Sequence, residues 1–447
     1  MSVTSLPPSS GPVIPESVEP IDDFYRRLMR ERWFPVAVLL IAFLVLVILT
    51  NQFDAVALTA PGTFTTMLIL GSPILLAGLG GLYSERAGIV NIGLEGMMTL
   101  GTWFAAWGGI RWGPWAGLAF GIFGGALGGL VHAIATVGFG VDHIVSGVAI
   151  NILAPGITRY LSSKTFAKPA TESAVGGGSI STSPTVNGEI PEITVPFLSG
   201  GDLFGWKTPN LFGWIEDKDW FYVSDLAGAL RGLTTNIPLL VVLAIALVPF
   251  TAWLLWRTRF GLRLRSAGEN PFAADSLGVR VYRFQTIACL ASGGCAGFGG
   301  ALLVLETTGN YKENQVAGRG FIGLAALIFG NWRPSGVLAG AGLFGYADGL
   351  ARRDLDGKSV RGLVLFLAVC ALIGVAILLA RRMVTAAAVT AMLAGLMILW
   401  FVATDEIPEE LVFITAPVLT LVVLVVAGRS LRPPKYDGYV WRRGEGG

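Results

Sequence analysis

Arg257 to Gln285 reads RTRFGLRLRSAGENPFAADSLGVRVYRFQ, a polar stretch set between two long apolar runs. Its arginines (Arg257, Arg259, Arg263, Arg265, Arg280 and Arg283) outnumber its two acidic residues, Glu269 and Asp275. Basic segments beside membrane spans stay on the cytoplasmic side, so the stretch predicts an inward-facing loop. Inside it, Asn270 suits a helix N-cap and Pro271 the first helical position, where no N–H is needed. Phe272 to Leu277 then predict about two turns, with Gly278 as a left-handed stop. A short, doubly capped helix on such a loop reads either as an ordinary basic loop or as a rigid knob that another protein grips.

The flanking runs are part of a wider pattern. Of 447 residues, 53% are hydrophobic and 14% charged, and the mean hydropathy is +0.65. Apolar runs of about 18 residues or more recur along the chain, as bilayer-spanning helices require. The expectation is an all-α, polytopic integral membrane protein of about 10–12 crossings with two weakly repeated halves. A net charge of +2 gives no reason to expect nucleic acid. Cys289, Cys295 and Cys370 lie in apolar runs and read as small hydrophobes. Two histidines, His132 and His143, are too few for a metal site, so none is expected.

In chain order, residues 1–32 form a Pro/Ser-rich leader, partly disordered, ending in Arg26, Arg27, Arg30 and Arg32. The first apolar run begins only near Phe34, which does not read as a cleavable signal peptide. The membrane domain covers 33–428. Runs at Phe64 to Leu82, Ile89 to Ile110, Trp115 to Phe139 and Val145 to Leu161 come next. Gly121, Gly125 and Gly129 recur one turn apart in the third of these, a spacing that lets a second helix approach closely. Residues 162–236 form a long loop with more acidic than basic residues and with exposed-looking Trp206, Trp214, Trp220, Phe221 and Tyr222. The outer face suits it, either on the membrane interface or as a docking surface. Beyond Leu305 come short runs at Phe321 to Gly330 and Gly336 to Leu350, then Gly362 to Ala380, Val384 to Ala403 and Leu411 to Ala427. The basic tail 429–447 and the leader place both termini in the cytoplasm. One loop breaks the charge pattern: Arg352 to Arg361 is basic yet falls outside if every run crosses, so either a short run is re-entrant or the loop is an exception.

Polar side chains inside spans are costly and so mark candidate function. Asn91 and Glu95 are one helical turn apart, Asn151 sits in mid-span, and Glu306 closes the span that leaves the central loop. These four are the candidate translocation path; bridging between helices is the competing reading. Ala87–Gly88 with Ile92–Gly93–Leu94 recurs as Ala317–Gly318 with Ile322–Gly323–Leu324, and paired interrupted segments point to a solute path. No enzyme signature appears: the one Gly-Lys-Ser, Gly357 to Ser359, has Arg352 where a phosphate loop needs its first glycine.

GLYSERAGIVNIGLEGMM (Gly81 to Met98) resembles the signature of ABC-importer permeases for nucleosides and simple sugars, relatives of ribose and branched-chain amino acid permeases. VDHIVSGVAINIL (Val141 to Leu153) is similar to its next block, AGENPFAADSLGV (Ala267 to Val279) to its coupling helix, and GFIGLAALIFGNWRP (Gly320 to Pro334) to a late block. The resemblance implies a multi-pass permease subunit in the cell membrane that moves nucleosides or related small polar solutes. Its implied partners are a second permease, ABC ATPase subunits that hold ATP and Mg, and an extracytoplasmic solute-binding lipoprotein. The chain itself would bind no cofactor. Within the coupling loop 257–285, Gly268, Glu269, Asn270, Pro271, Ala273, Ala274, Asp275 and Gly278 would meet the ATPase. Residues 362–403 look like added spans, and 162–236 is long for the family. Branched-chain amino acids or simple sugars are the alternative cargo; an ATP-independent channel or ion-coupled carrier is the rival class.

Overall fold

The structure, a computed structural model, describes residues 34–53, 55–166, 182–203, 206–351, 357–380, 384–404 and 431–442. The helices are α1 (Phe34–Phe53), α2 (Pro61–Arg86), α3 (Leu94–Trp112), α4 (Pro114–Ala133), α5 (His143–Thr165), α6 (Leu211–Glu216), α7 (Val223–Gly232) and α8 (Leu239–Arg257). They continue as α9 (Arg259–Glu269), α10 (Pro271–Ser276), α11 (Val281–Leu302), α12 (Arg319–Phe329), α13 (Pro334–Ala351), α14 (Gly357–Ala380) and α15 (Val384–Ala403). Wider π turns extend α4 through Gly138 and α11 through Thr308. The chain is an all-α polytopic membrane protein. Among the described residues, six helices (α2, α4, α5, α8, α11 and α15) are long and apolar enough to cross a bilayer by themselves. The leader and the Leu411 to Ala427 run lie outside the described residues.

Glycine decides how the centre packs. A Cβ on Gly121 would lie 2.7 Å from the Ala301 Cβ, and one on Gly125 would lie 2.5 Å from the Gly297 Cα and overlap the Gly293 carbonyl. On Gly129 it would overlap the Cys289 carbonyl. The predicted stripe on α4 is therefore a backbone-to-backbone seam with α11, the close approach that membrane helices use in place of a hydrophobic drive. Gly345 on α13 makes a similar approach to Gly71 on α2. The main core gathers around α2, with Leu75, Leu79, Leu82, Ala288, Leu327 and Phe344 buried together.

The bundle has two ends. At one, residues 182–203 and 206–238 fold onto the helices: Thr65 Oγ1 donates to the Gly232 carbonyl (2.6 Å) and the Tyr222 hydroxyl to the Leu40 carbonyl (3.2 Å). Two short antiparallel ladders, Glu192–Ile193 with Ile237–Pro238 and Asp202–Leu203 with Trp206–Lys207, stiffen this loop. Its Trp206 and Phe221 are exposed. Leu350 and Val364, on either side of the basic Arg352 to Arg361 stretch, both pack with Leu58. Residues 352–356 of that stretch lie outside the described residues. The pair α14–α15 packs on itself through Ala371 with Ala394 and Leu378 with Ala387, and α14 lies beside α1. At the other end lie α9, α10 and the tail.

Candidate functional site

The stretch between α8 and α11 is more ordered than a polar loop. Thr258 Oγ1 accepts the Gly261 N–H (3.1 Å) and starts α9, whose Leu264 and Ala267 are buried while Arg259 and Arg263 are exposed. Asn270 Oδ1 then accepts the Ala273 N–H (3.0 Å), Pro271 takes the first position of α10, and Gly278 turns left-handed at φ +82°. The helix runs Pro271–Ser276: it starts at Pro271 as its sequence predicts and ends one residue sooner, with Leu277 as the C-cap.

The eight coupling candidates separate by direction. Pro271 and Ala274 are buried, Ala274 with Ala267, Val281 and Trp441. Gly268 lies against the Arg86 carbonyl, and the Glu269 carboxylate sits 3.8 Å from the Arg86 guanidinium. Ala273, Leu277 and Gly278 face outward, with Leu277 85% exposed, while Asp275 is half-buried. Ala274 thus belongs to the seat of the helix and not to its free surface.

The path candidates sit where helices break. Asn91 is not on α3 as its spacing with Glu95 implies; it lies in an irregular segment between Arg86 and Leu94, fully buried. Gly88 opens that segment with φ +90°. Asn91 Nδ2 donates to Ser292 Oγ (2.8 Å) and its Oδ1 accepts the Gly93 N–H (3.0 Å). Asn151 Oδ1 accepts the Gly96 N–H (2.8 Å), and its Nδ2 donates to the Ile92 carbonyl (2.9 Å). Glu95 accepts the N–H groups of Gly318 (2.8 Å) and Gly320 (2.7 Å), which cap α12. Each side chain satisfies backbone that a broken helix leaves without a partner. The two echoed segments meet here: a Cβ on Gly320 would lie 2.5 Å from the Glu95 nitrogen. With 11 residues, α12 covers about 16 Å, half a bilayer core, so it is a half-span that starts at this junction and ends at Phe329, one turn before Trp332.

Glu306 is elsewhere. It sits in the π turn at the end of α11, toward the long loop, with Oε1 buried and without a hydrogen-bond partner. Thr307 Oγ1 and Asn310 Oδ1 are in the same condition. His132 bonds Ser146 Oγ (2.9 Å) and the Val90 carbonyl (3.1 Å). Among the described residues no cluster of three or more His, Cys, Asp or Glu is placed to hold a metal ion.

Sequence reading passed over one buried polar cluster at the α10 end. Glu85 is 3% exposed and accepts from the Trp332 indole N–H. Arg86 Nη2 donates to the Trp332 carbonyl (2.7 Å). The third member, Asp437, comes from the tail and hydrogen-bonds Glu85. Burial, and the Glu85 carboxylate beside it, hold the Asp437 carboxyl well above the usual carboxylate range. Two carboxyl groups so joined share a proton. Glu85 and Arg86 stand inside the signature-like segment, which was the available signal; nothing local pointed to Asp437.

Comparison with known proteins supplies the class. The chain is 38% identical over 295 residues to the nucleoside ABC transporter permease protein NupC of Lactococcus lactis, covering 64% of this chain and 80% of that protein. It is 36% identical over 296 residues to the guanosine ABC transporter permease protein NupQ of Bacillus subtilis, with the same coverage. A putative glucose ABC transporter permease protein of Haloferax volcanii, TsgC13, is 32% identical over 300 residues, covering 66% of this chain and 78% of that protein. No solved structure matches. The family described as the permease component of branched-chain amino acid transport systems matches residues 63–369, from the start of α2 into α14. With its bundle of membrane helices and its broken α2–α3 junction, the chain belongs to that family of permease components.

Proposed function

We propose that this permease forms half of the translocation path of an ATP-binding-cassette importer for nucleosides, with α10 as its contact to an ATPase subunit. The observation that carries the coupling role is the outward face of α10: a capped helix at the basic end of the bundle whose C-cap residue, Leu277, is 85% exposed. An exposed leucine on a rigid knob fits a groove in a water-soluble partner. ATP and Mg belong to that partner. The nucleoside reading rests on the two relatives of 36–38% identity, which are named for nucleoside and guanosine transport.

The remaining assignments follow from the two ends. The basic α9–α10 end and both termini face the cytoplasm of the cell membrane, and residues 182–238 face outward, where exposed Trp206, Trp214 and Phe221 receive the solute-binding lipoprotein. A second, different permease covers the exposed apolar side of α5, which carries Val145, Val148, Ile152 and Leu153. Glu306 and the half-exposed sides of Glu95 and Asn151 border the path; Asn91, fully buried, braces it from behind.

The test is Leu277→Asp, introduced in the chain expressed in its own host with its partners. The wild type is expected to bring down an ATPase and a second permease and to take up labelled guanosine in preference to glucose or leucine. The variant is expected to stay in the membrane but lose the ATPase and the uptake. Full guanosine uptake by the variant, or transport by the wild-type chain alone in liposomes without ATP, would overturn the reading.

A further inference from the structure

We propose that residues 431–442 form a strap that positions α10 and carries its displacement to the α2–α3 break and to the α12–α13 turn. This rests on the reading of α10 as the ATPase contact.

The strap touches each of those elements in turn. Its Arg432 N–H donates to Asn331 Oδ1 (2.7 Å) in the α12–α13 turn. The Tyr436 N–H donates to the Gly268 carbonyl (2.9 Å) at the end of α9, and the Gly438 N–H to the Gly88 carbonyl (3.2 Å) in the break. Between those two bonds Asp437 enters the buried cluster of Glu85, Arg86 and Trp332. Beyond it, Trp441 is 6% exposed and packs 4.8 Å from the Tyr282 ring at the start of α11.

The strap also supplies the seat of α10. The Phe272 ring meets Tyr436 edge-on at 5.6 Å and Trp441 at 6.3 Å, and Ala274 shares a buried cluster with Trp441. A helix of six residues has no stable orientation of its own, so its direction is set by what it rests on. Here it rests on the tail as much as on α9 and α11. A carboxyl is not buried beside another without cost, and Asp437 fixes the register of the whole strap at one point. Pro433 and Pro434 stiffen the approach to that point.

A push on α10 therefore reaches Gly88 and Asn331 through Tyr436 and Asp437, not only through the covalent links to α9 and α11. The experiment uses the assembled importer in proteoliposomes with its binding protein and labelled guanosine, comparing wild type with the double variants Tyr436→Ala/Trp441→Ala and Tyr436→Phe/Trp441→Phe. In the alanine variant, ATP hydrolysis is expected to persist while guanosine taken up per ATP falls about fivefold or more, the scale of an ordinary coupling energy. The phenylalanine variant, which keeps an aromatic ring at each position, is expected to restore the ratio. An unchanged ratio in the alanine variant overturns the proposal. So does a joint loss of assembly, hydrolysis and uptake that phenylalanine fails to rescue, because that marks a plain folding role. If the wild-type chain brings down no ATPase, the coupling reading fails instead. Positioning is then still decided by hydrogen exchange of residues 271–278 in the isolated chain, which is expected to speed up in the alanine variant. Unaltered exchange there would also overturn the strap.

Discussion

Replacing Glu95 separates the two roles available to a carboxylate inside a membrane protein. Its oxygens accept the Gly318 and Gly320 N–H groups at 2.8 and 2.7 Å, at the start of a half-span helix. Glu95→Ala leaves two part-buried donors without their partner, each costing up to about 1–3 kcal/mol. It also removes a negative charge from a helix N-terminus, about 0.3–1 kcal/mol more. The expected loss is about 3–5 kcal/mol in all, since such contributions are not fully additive. Glu95→Gln keeps one acceptor and turns an NH2 group toward the second donor, so about half of that loss is expected. The assay is the thermal unfolding midpoint of the purified chain in detergent, beside KM and maximal rate for guanosine uptake in the assembled importer. Stability should fall in the order wild type, Gln, Ala, with KM little changed for the glutamine variant. A glutamine variant with an unaltered midpoint and a KM raised tenfold or more, about 1.4 kcal/mol of lost binding, would refute the capping argument and make Glu95 a substrate ligand.

Two further outcomes follow from the packing and from the tail. Gly125→Ala puts a methyl group into the Gly293 carbonyl across the α4–α11 seam and should destabilise the chain by about 1–3 kcal/mol or more. Gly156→Ala, which meets no atom within 4 Å, should be close to neutral in the same melting experiment. For Asp437 the sign follows from its raised value: the folded state binds the proton more tightly than the unfolded one. Docking of the strap is therefore strongest below the usual carboxylate range and is lost as pH rises through the raised value. The hydrogen-exchange protection factors of residues 435–442, with the intrinsic rise of exchange with pH divided out, should fall toward alkaline pH in the wild type and stay flat in Asp437→Asn; parallel profiles would refute the shared proton.

Much of the architecture was legible where a residue type has one strong physical reason to be there. Asn270, Pro271 and Gly278 announced α10, and the Gly121–Gly125–Gly129 spacing announced a close-packed seam. Three things were not. The arginine-rich Arg259–Glu269 looked like a loop because its apolar side is only Leu264, Ala267 and their neighbours; its helix is held by packing on α8, through the Gly261–Leu255 approach, and not by propensity. The helix break before Leu94 was hidden because Ile89, Val90 and Ile92 continue the apolar run, and apolarity alone does not separate helix from extended chain. Asn91 was accordingly placed on a helix face it does not share. Asp437 was invisible in the candidate set because its partner, Glu85, is near the opposite end of the chain, and only the fold brings the two together.

The α4–α11 seam has a consequence for how such a protein can change shape. Two backbones in contact over successive turns leave no room for a lipid tail between them and no side-chain layer that could shear. The two helices must travel as one girder. Any swing of the bundle is then borne by panels outside it, and α5 is built for that: little of its surface is covered by its own chain, and Pro155 interrupts its backbone hydrogen bonding. Rigidity at the centre is what allows a small movement at the rim to be a directed one.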